Sequence, residues 1–122
     1  MYRQHIVLKI QNLAIMNLKH PDKCTSAEEI RNEIDKIDAQ IISLFSRRHR
    51  YVEEIVKFKH NPNEIVASER KEQVIRQRCE WAASQGLNAK TFELIYSSLI
   101  ENNIQHEMEL LTQKNNPHIK NH

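Results

Sequence analysis

Two cations occupy positions that an amphipathic helix should fill with apolar side chains. In IISLFSRRHRYVEEIVKFK, residues 41–59, the residues Ile41, Leu44, Phe45, Val52, Ile55 and Val56 recur at helical spacing. The same stripe passes through Arg48 and ends on Lys59. Further along, the stripe Phe92, Ile95, Tyr96, Leu99, Leu110 and Leu111 passes through Asn103 and close to Glu107. One such residue is ordinarily a snorkelling side chain with its head in water. Four on two helices require partners, because an unpaired buried charge costs several kcal/mol. Glu107 can neutralise one cation, and a small anion would neutralise the other.

The spacing limits that anion. Arg48 and Lys59 are eleven residues apart, which returns to within about 20° of the same helix face with roughly 16 Å between the Cα atoms. Two long side chains leaning together across that distance leave room for one small organic anion. Arg31 lies roughly 25 Å from Arg48 along the same helix. An antiparallel partner helix could bring it to the same pocket, and a contribution from Arg31 then implies a site shared between subunits.

The elements that must position these groups are helical. Among 122 residues there are one glycine and three prolines, too few for hairpins and sandwiches. Thr25 or Ser26 is the expected N-cap of a first helix of about 34 residues, roughly 50 Å long, running to Pro62. HNPNEIVA, residues 60–67, reads as a loop able to order over an anion as a lid. Ser68 reads as the N-cap of a second helix that Gly86 stops in the left-handed conformation. A third helix begins near Asn88. The expected organisation is an N-terminal extension over 1–23, loosely ordered, with Met16 as a candidate natural start. A helical domain covers 24–113, and a polar tail 114–122.

Composition excludes several classes. A net charge of +2 provides no broad footprint for nucleic acid or an anionic membrane. Arg47 and Arg50 read as a solvated face, since Glu53 and Glu54 follow at once. The apolar run in residues 1–15 is too short and too polar to span a bilayer, and it lacks a signal cleavage site. Cys24 and Cys79 form no CxxC pair, which suits free thiols in a reducing, cytoplasmic compartment. The seven histidines show no pair at a ligand spacing, so neither a metal nor a cofactor is expected. Aromatic residues make up only 6% of the chain, which thins a monomeric core and favours pooling apolar faces between subunits.

In order and spacing, IRxxIDxID from Ile30, the trailing arginine pair Arg47 and Arg48, FK at Phe58–Lys59, SER at 68–70 and WAxxxGL from Trp81 resemble the all-helical chorismate mutases. The similarity covers about residues 24–111 and leans towards the branch containing isochorismate-pyruvate lyase. The resemblance implies an all-α fold, a three-helix chain with one long N-terminal helix in an intertwined homodimer whose two sites each draw on both chains. It implies that Arg31 reaches a substrate carboxylate from the partner chain and that Arg48 clamps a carboxylate. By the same resemblance Lys59 contacts the ether-oxygen side of the ligand, Glu107 stands where many members carry a donating glutamine, and Arg70 lies near a further cation. Asn103 takes the place of a small hydroxyl residue near the substrate.

The implied substrate is a small dicarboxylate, chorismate or isochorismate, and the implied reaction is pericyclic. The protein then holds the reactive conformer and places positive charge or a donor at the ether oxygen. Arginine forks match carboxylates and lysine supplies a compact charge. Glu107 departs from the pattern. A glutamate donates a hydrogen bond only when protonated, and an ionised one repels the developing oxyanion. The first reading is chorismate to prephenate, the second isochorismate to salicylate and pyruvate. A non-catalytic helical dimer is the third, disfavoured because a pure seam would be more stable with apolar residues at Arg31, Arg48 and Lys59.

Overall fold

The computed structural model describes residues 17–117, so the candidate start at Met16 and the final residues of the polar tail lie outside the described part. Among the described residues the regular structure is helical, with no strand. Four α-helices follow in order: α1 (Ala27–Ile55), α2 (Pro62–Val66), α3 (Ser68–Ser84) and α4 (Ala89–Asn115). Short 3-10 turns lie at Pro21–Lys23 and Val56–Phe58. The chain divides into two compact units with the border after Arg48, inside α1.

In the N-terminal unit Ser26 caps α1. Its Oγ accepts from the Glu29 N–H at 3.1 Å, and the Glu29 carboxylate accepts from the Thr25 N–H at 2.7 Å. That reciprocal exchange satisfies one amide donor of the first turn, at Glu29, and ties down the amide of the residue before the cap. Lys19 reinforces it, with Nζ 3.1 Å from Glu29 Oε2 and its backbone N–H donating to Glu33 Oε2 at 3.0 Å. These donors hold both carboxyls below the usual glutamate range, Glu29 chiefly through the Thr25 amide and Glu33 chiefly through Lys36. The apolar stripe of α1 has little to cover it, and no residue of the helix is buried. Ile34 is 48% exposed and Ile41 42%.

The long helix is shorter than its apolar pattern suggests, 29 residues against the expected 34 or so, because the chain tightens into a 3-10 turn at Val56. The lysine at the end of the last helix satisfies the carbonyls freed there. Lys114 Nζ donates to the backbone oxygens of Val56 at 3.1 Å, Lys57 at 3.3 Å and Lys59 at 3.0 Å. A cation at a helix C-terminus also complements the helix dipole.

The segment expected as a loop after Lys59 contains α2. Asn61 caps it by accepting from the Glu64 N–H at 3.0 Å, and Pro62 fits the first turn, where an amide is not needed. The Glu64 carboxylate returns the exchange to the His60 N–H at 3.1 Å. Ile65, 2% exposed, anchors this helix in a core with Val56 and Leu111. Such an anchor suits a fixed element better than a free lid.

The second expected cap also shifts. Ser68 is already helical, and the junction residue is Ala67, with φ 36° in the left-handed region. An alanine there is strained by about 1 kcal/mol relative to glycine. Gly86 does take φ 76°, and the Leu87 N–H closes back on the Ala82 carbonyl at 2.9 Å while the Gly86 N–H reaches Ala83. This is the paired closure that a left-handed glycine permits. Asn88 then caps α4 by accepting from the Thr91 N–H at 3.2 Å.

Candidate functional site

Among its described residues the C-terminal unit buries two polar side chains, Asn103 and Glu107, one turn apart on α4. Asn103 and Glu107 are each 6% exposed, on the face that also buries Ile100 and Leu111. The four-residue spacing aligns them on a single helix face. Opposite Glu107 the chain leaves its 3-10 turn at Lys59, whose backbone is extended at φ −111°. Lys59 Nζ stands 2.9 Å from Glu107 Oε1, with side chains 18% and 8% exposed. A charge-assisted bond of that length between groups this dry is a strong local interaction.

The position of Lys59 is fixed from both ends. Its carbonyl accepts from Lys114, its N–H donates to the Val56 carbonyl at 3.1 Å, and its ammonium meets Glu107. Lys114 is therefore the residue that sequence reasoning missed. The available signal is a lysine in the last turn of a helix, and its partners are carbonyls far away in sequence.

The structure brings together Lys59 and Glu107, which the sequence singled out 48 residues apart. Arg31 and Arg48 belong to the other unit, both on α1, Arg31 exposed and Arg48 half-buried. Arg70 is exposed on the first turn of α3, where its guanidinium donates to Gln73 Oε1 at 3.2 Å. On the same helix Arg78 lies over the Trp81 ring at 4.6 Å and the Tyr96 ring at 5.9 Å, a cation–π arrangement between α3 and α4.

Chemically, an ionised Glu107 leaves Lys59 with its charge compensated inside the protein. A protonated Glu107 leaves Lys59 positive and adds a second donor to the same corner.

The family model described as Chorismate mutase type II matches residues 30–108. The chain belongs to that family. A curated relative from Pseudomonas aeruginosa, described as isochorismate pyruvate lyase, is 35% identical over 83 residues, covering 68% of this chain and 82% of its own length. The all-helical architecture agrees with chorismate mutase type II. No helix among the described residues is long and apolar enough to cross a membrane.

Proposed function

We propose that this chorismate mutase family member is an enzyme that converts chorismate to prephenate. In this reading Arg31 and Arg48 bind the two carboxylates, and Lys59 with Glu107 faces the ether oxygen as the C–O bond breaks. The observation that carries the reading is the ion pair at 2.9 Å between half-buried Lys59 and buried Glu107. A helix packing surface has no need of such a pair, because replacing it with apolar residues is often neutral or stabilising. A pericyclic reaction needs only a held conformer and charge at the leaving oxygen, which these residue types supply.

The site is completed by a second copy of the chain. Arg31 is too distant along α1 to share a pocket with Arg48 from its own helix, by the spacing of roughly 25 Å. The exposed isoleucines of α1 give that second copy a surface to cover. The reading places the activity on residues 24–113 of a cytoplasmic homodimer, with Arg70 and Asn103 as subsidiary ligand contacts.

A second reading, isochorismate cleaved to salicylate and pyruvate, is favoured by the name of the Pseudomonas relative. One experiment separates the two. The purified chain is incubated with chorismate and, in parallel, with isochorismate, and products are followed by chromatography. Prephenate from chorismate as the dominant activity supports the first reading, and salicylate from isochorismate the second. Turnover of neither, with no rise in melting temperature from either compound, returns the chain to a non-catalytic dimer.

A further inference from the structure

Among the described residues of the C-terminal unit, a second cluster of chemically able side chains lies apart from the Lys59–Glu107 corner. His49 and Glu53 lie four residues apart on the last turns of α1, and His106 reaches them from α4. His106 Nε2 is 2.9 Å from Glu53 Oε2, and His49 Nε2 is 3.8 Å from the same oxygen. The two imidazoles stack with centroids 4.7 Å apart at an interplanar angle of 28°. One ligand atom from each residue can be chosen so that all three lie within 4.8 Å of one another.

We infer that His49, Glu53 and His106 form a binding site for a divalent transition metal of the zinc class. Ligands held at about 2.0–2.2 Å from a tetrahedral centre are separated from each other by about 3.3–3.5 Å. The separations of 2.9 and 3.8 Å to the carboxylate bracket that value, and the two imidazole nitrogens, within 4.8 Å of each other, close on the ion as the side chains rotate. Two imidazoles and a carboxylate are a borderline ligand set that selects zinc, nickel or copper over magnesium and calcium. The i, i+4 pair puts two ligands on one helix face, and the third comes from another helix, so the ion ties α1 to α4. His49, Glu53 and His106 are 43%, 42% and 29% exposed in their side chains, which leaves the fourth position open to water and gives the ion a path in.

The metal-free cluster has its own logic. The hydrogen bond with His106 is the main cause that holds the Glu53 carboxyl below the usual glutamate range. An ionised carboxylate is the form that a metal requires. His106 immediately precedes Glu107, so an ion held here fixes the backbone beside the Lys59 partner. The binding itself does not depend on the proposed reaction. Histidine and cysteine spacing does not mark this site, because the local pair is a histidine and a glutamate.

The test uses the full-length chain freed of metal with a chelator and titrated calorimetrically with zinc chloride. A Co2+ titration follows the visible absorption that nitrogen ligation produces. We expect one zinc ion per chain with micromolar affinity and an upward shift in melting temperature on loading. His49→Gln and His106→Gln each weaken zinc at least about tenfold, as even the supporting groups around a metal commonly do. Glu53→Gln, which keeps the size and a hydrogen-bond acceptor, weakens it as well and guards against a variant that merely fails to fold. A control variant, His20→Gln/His60→Gln, retains wild-type affinity. Absence of binding in the micromolar range, or an affinity unchanged in folded His49→Gln, Glu53→Gln and His106→Gln, overturns the assignment.

Discussion

The two units of this chain solve the problem of a small core in opposite ways. The C-terminal unit gathers Val56, Ile65 and Leu111 from a 3-10 turn and two helices into a core, with Ile104, Met108 and Leu110 packed against it. The N-terminal unit, residues 17–48 in its described part, buries nothing, although its helix carries the longest apolar stripe in the sequence. The difference teaches where each unit's stability comes from. One is stabilised by burial within its own chain. The other has a well-capped helix whose apolar face gains its burial from a second copy in our reading, and the shared site is the functional consequence.

The comparison breaks most forcefully at the polar corner. Lys59→Met leaves the Glu107 carboxylate buried without its partner, and the expected cost is about 3–5 kcal/mol. Chemical denaturation of Lys59→Met against Lys59→Met/Glu107→Leu checks this. The double variant should recover most of the stability while remaining inactive. A single variant as stable as wild type would show that the pair contributes nothing to the fold.

The next effect compares two apolar truncations. Leu111→Ala should cost about 2–5 kcal/mol, because it empties a site 3% exposed. That loss should not depend on protein concentration beyond the dependence of the wild type itself. Ile34→Ala should instead act through association. Sedimentation velocity should show a weakened dimer, and the melting temperature should fall more steeply on dilution than that of Leu111→Ala. Equal dilution behaviour would mean that the α1 stripe is not a subunit seam.

A smaller effect follows from the cap on Lys59. Lys114→Met removes a charged donor from three carbonyls and should cost about 1–2 kcal/mol. Because those carbonyls frame the backbone of Lys59, kcat should fall more than the stability loss alone explains, and Lys114→Arg should restore part of it. The smallest expected effect concerns acid. Glu53 is held below its ordinary value of 4.5, first by the His106 hydrogen bond. Its unfolded form therefore binds a proton at higher pH than its folded form. The stabilisation is present above the ordinary glutamate value and fades as pH falls through the lowered one. Melting curves of wild type and Glu53→Gln from neutral pH down to about pH 3 should converge at the acid end.

Much of this arrangement was legible in the sequence because local chemistry wrote it. Ser26 with Glu29, Gly86 and Asn88 mark helix ends with side chains or backbone angles that few other residues supply, and all three ends fall where those signals lie. The interruption of an apolar stripe by Glu107 and Lys59 likewise announced a buried pair. The 3-10 turn at Val56 was not legible, since no breaker marks it and its stabilising partner is Lys114, near the far end of the chain. Asn61, Pro62 and Glu64 form a complete start signal for helix α2, but a helix of five residues has too short a pattern to stand out from a loop. The cluster of His49, Glu53 and His106 was hidden because its third member depends on how α4 packs against the end of α1.

The central claim is that one copy's Arg31 and another copy's Arg48 act on the same small dicarboxylate. Arg31→Ala and Arg48→Ala, each inactive alone, are unfolded together and refolded as a mixture, and prephenate formation from chorismate is measured. Random pairing makes half the dimers mixed, and each mixed dimer has one intact site. The account therefore predicts recovery to about a quarter of wild-type turnover. A mixture no more active than its two components would contradict a site built from two chains.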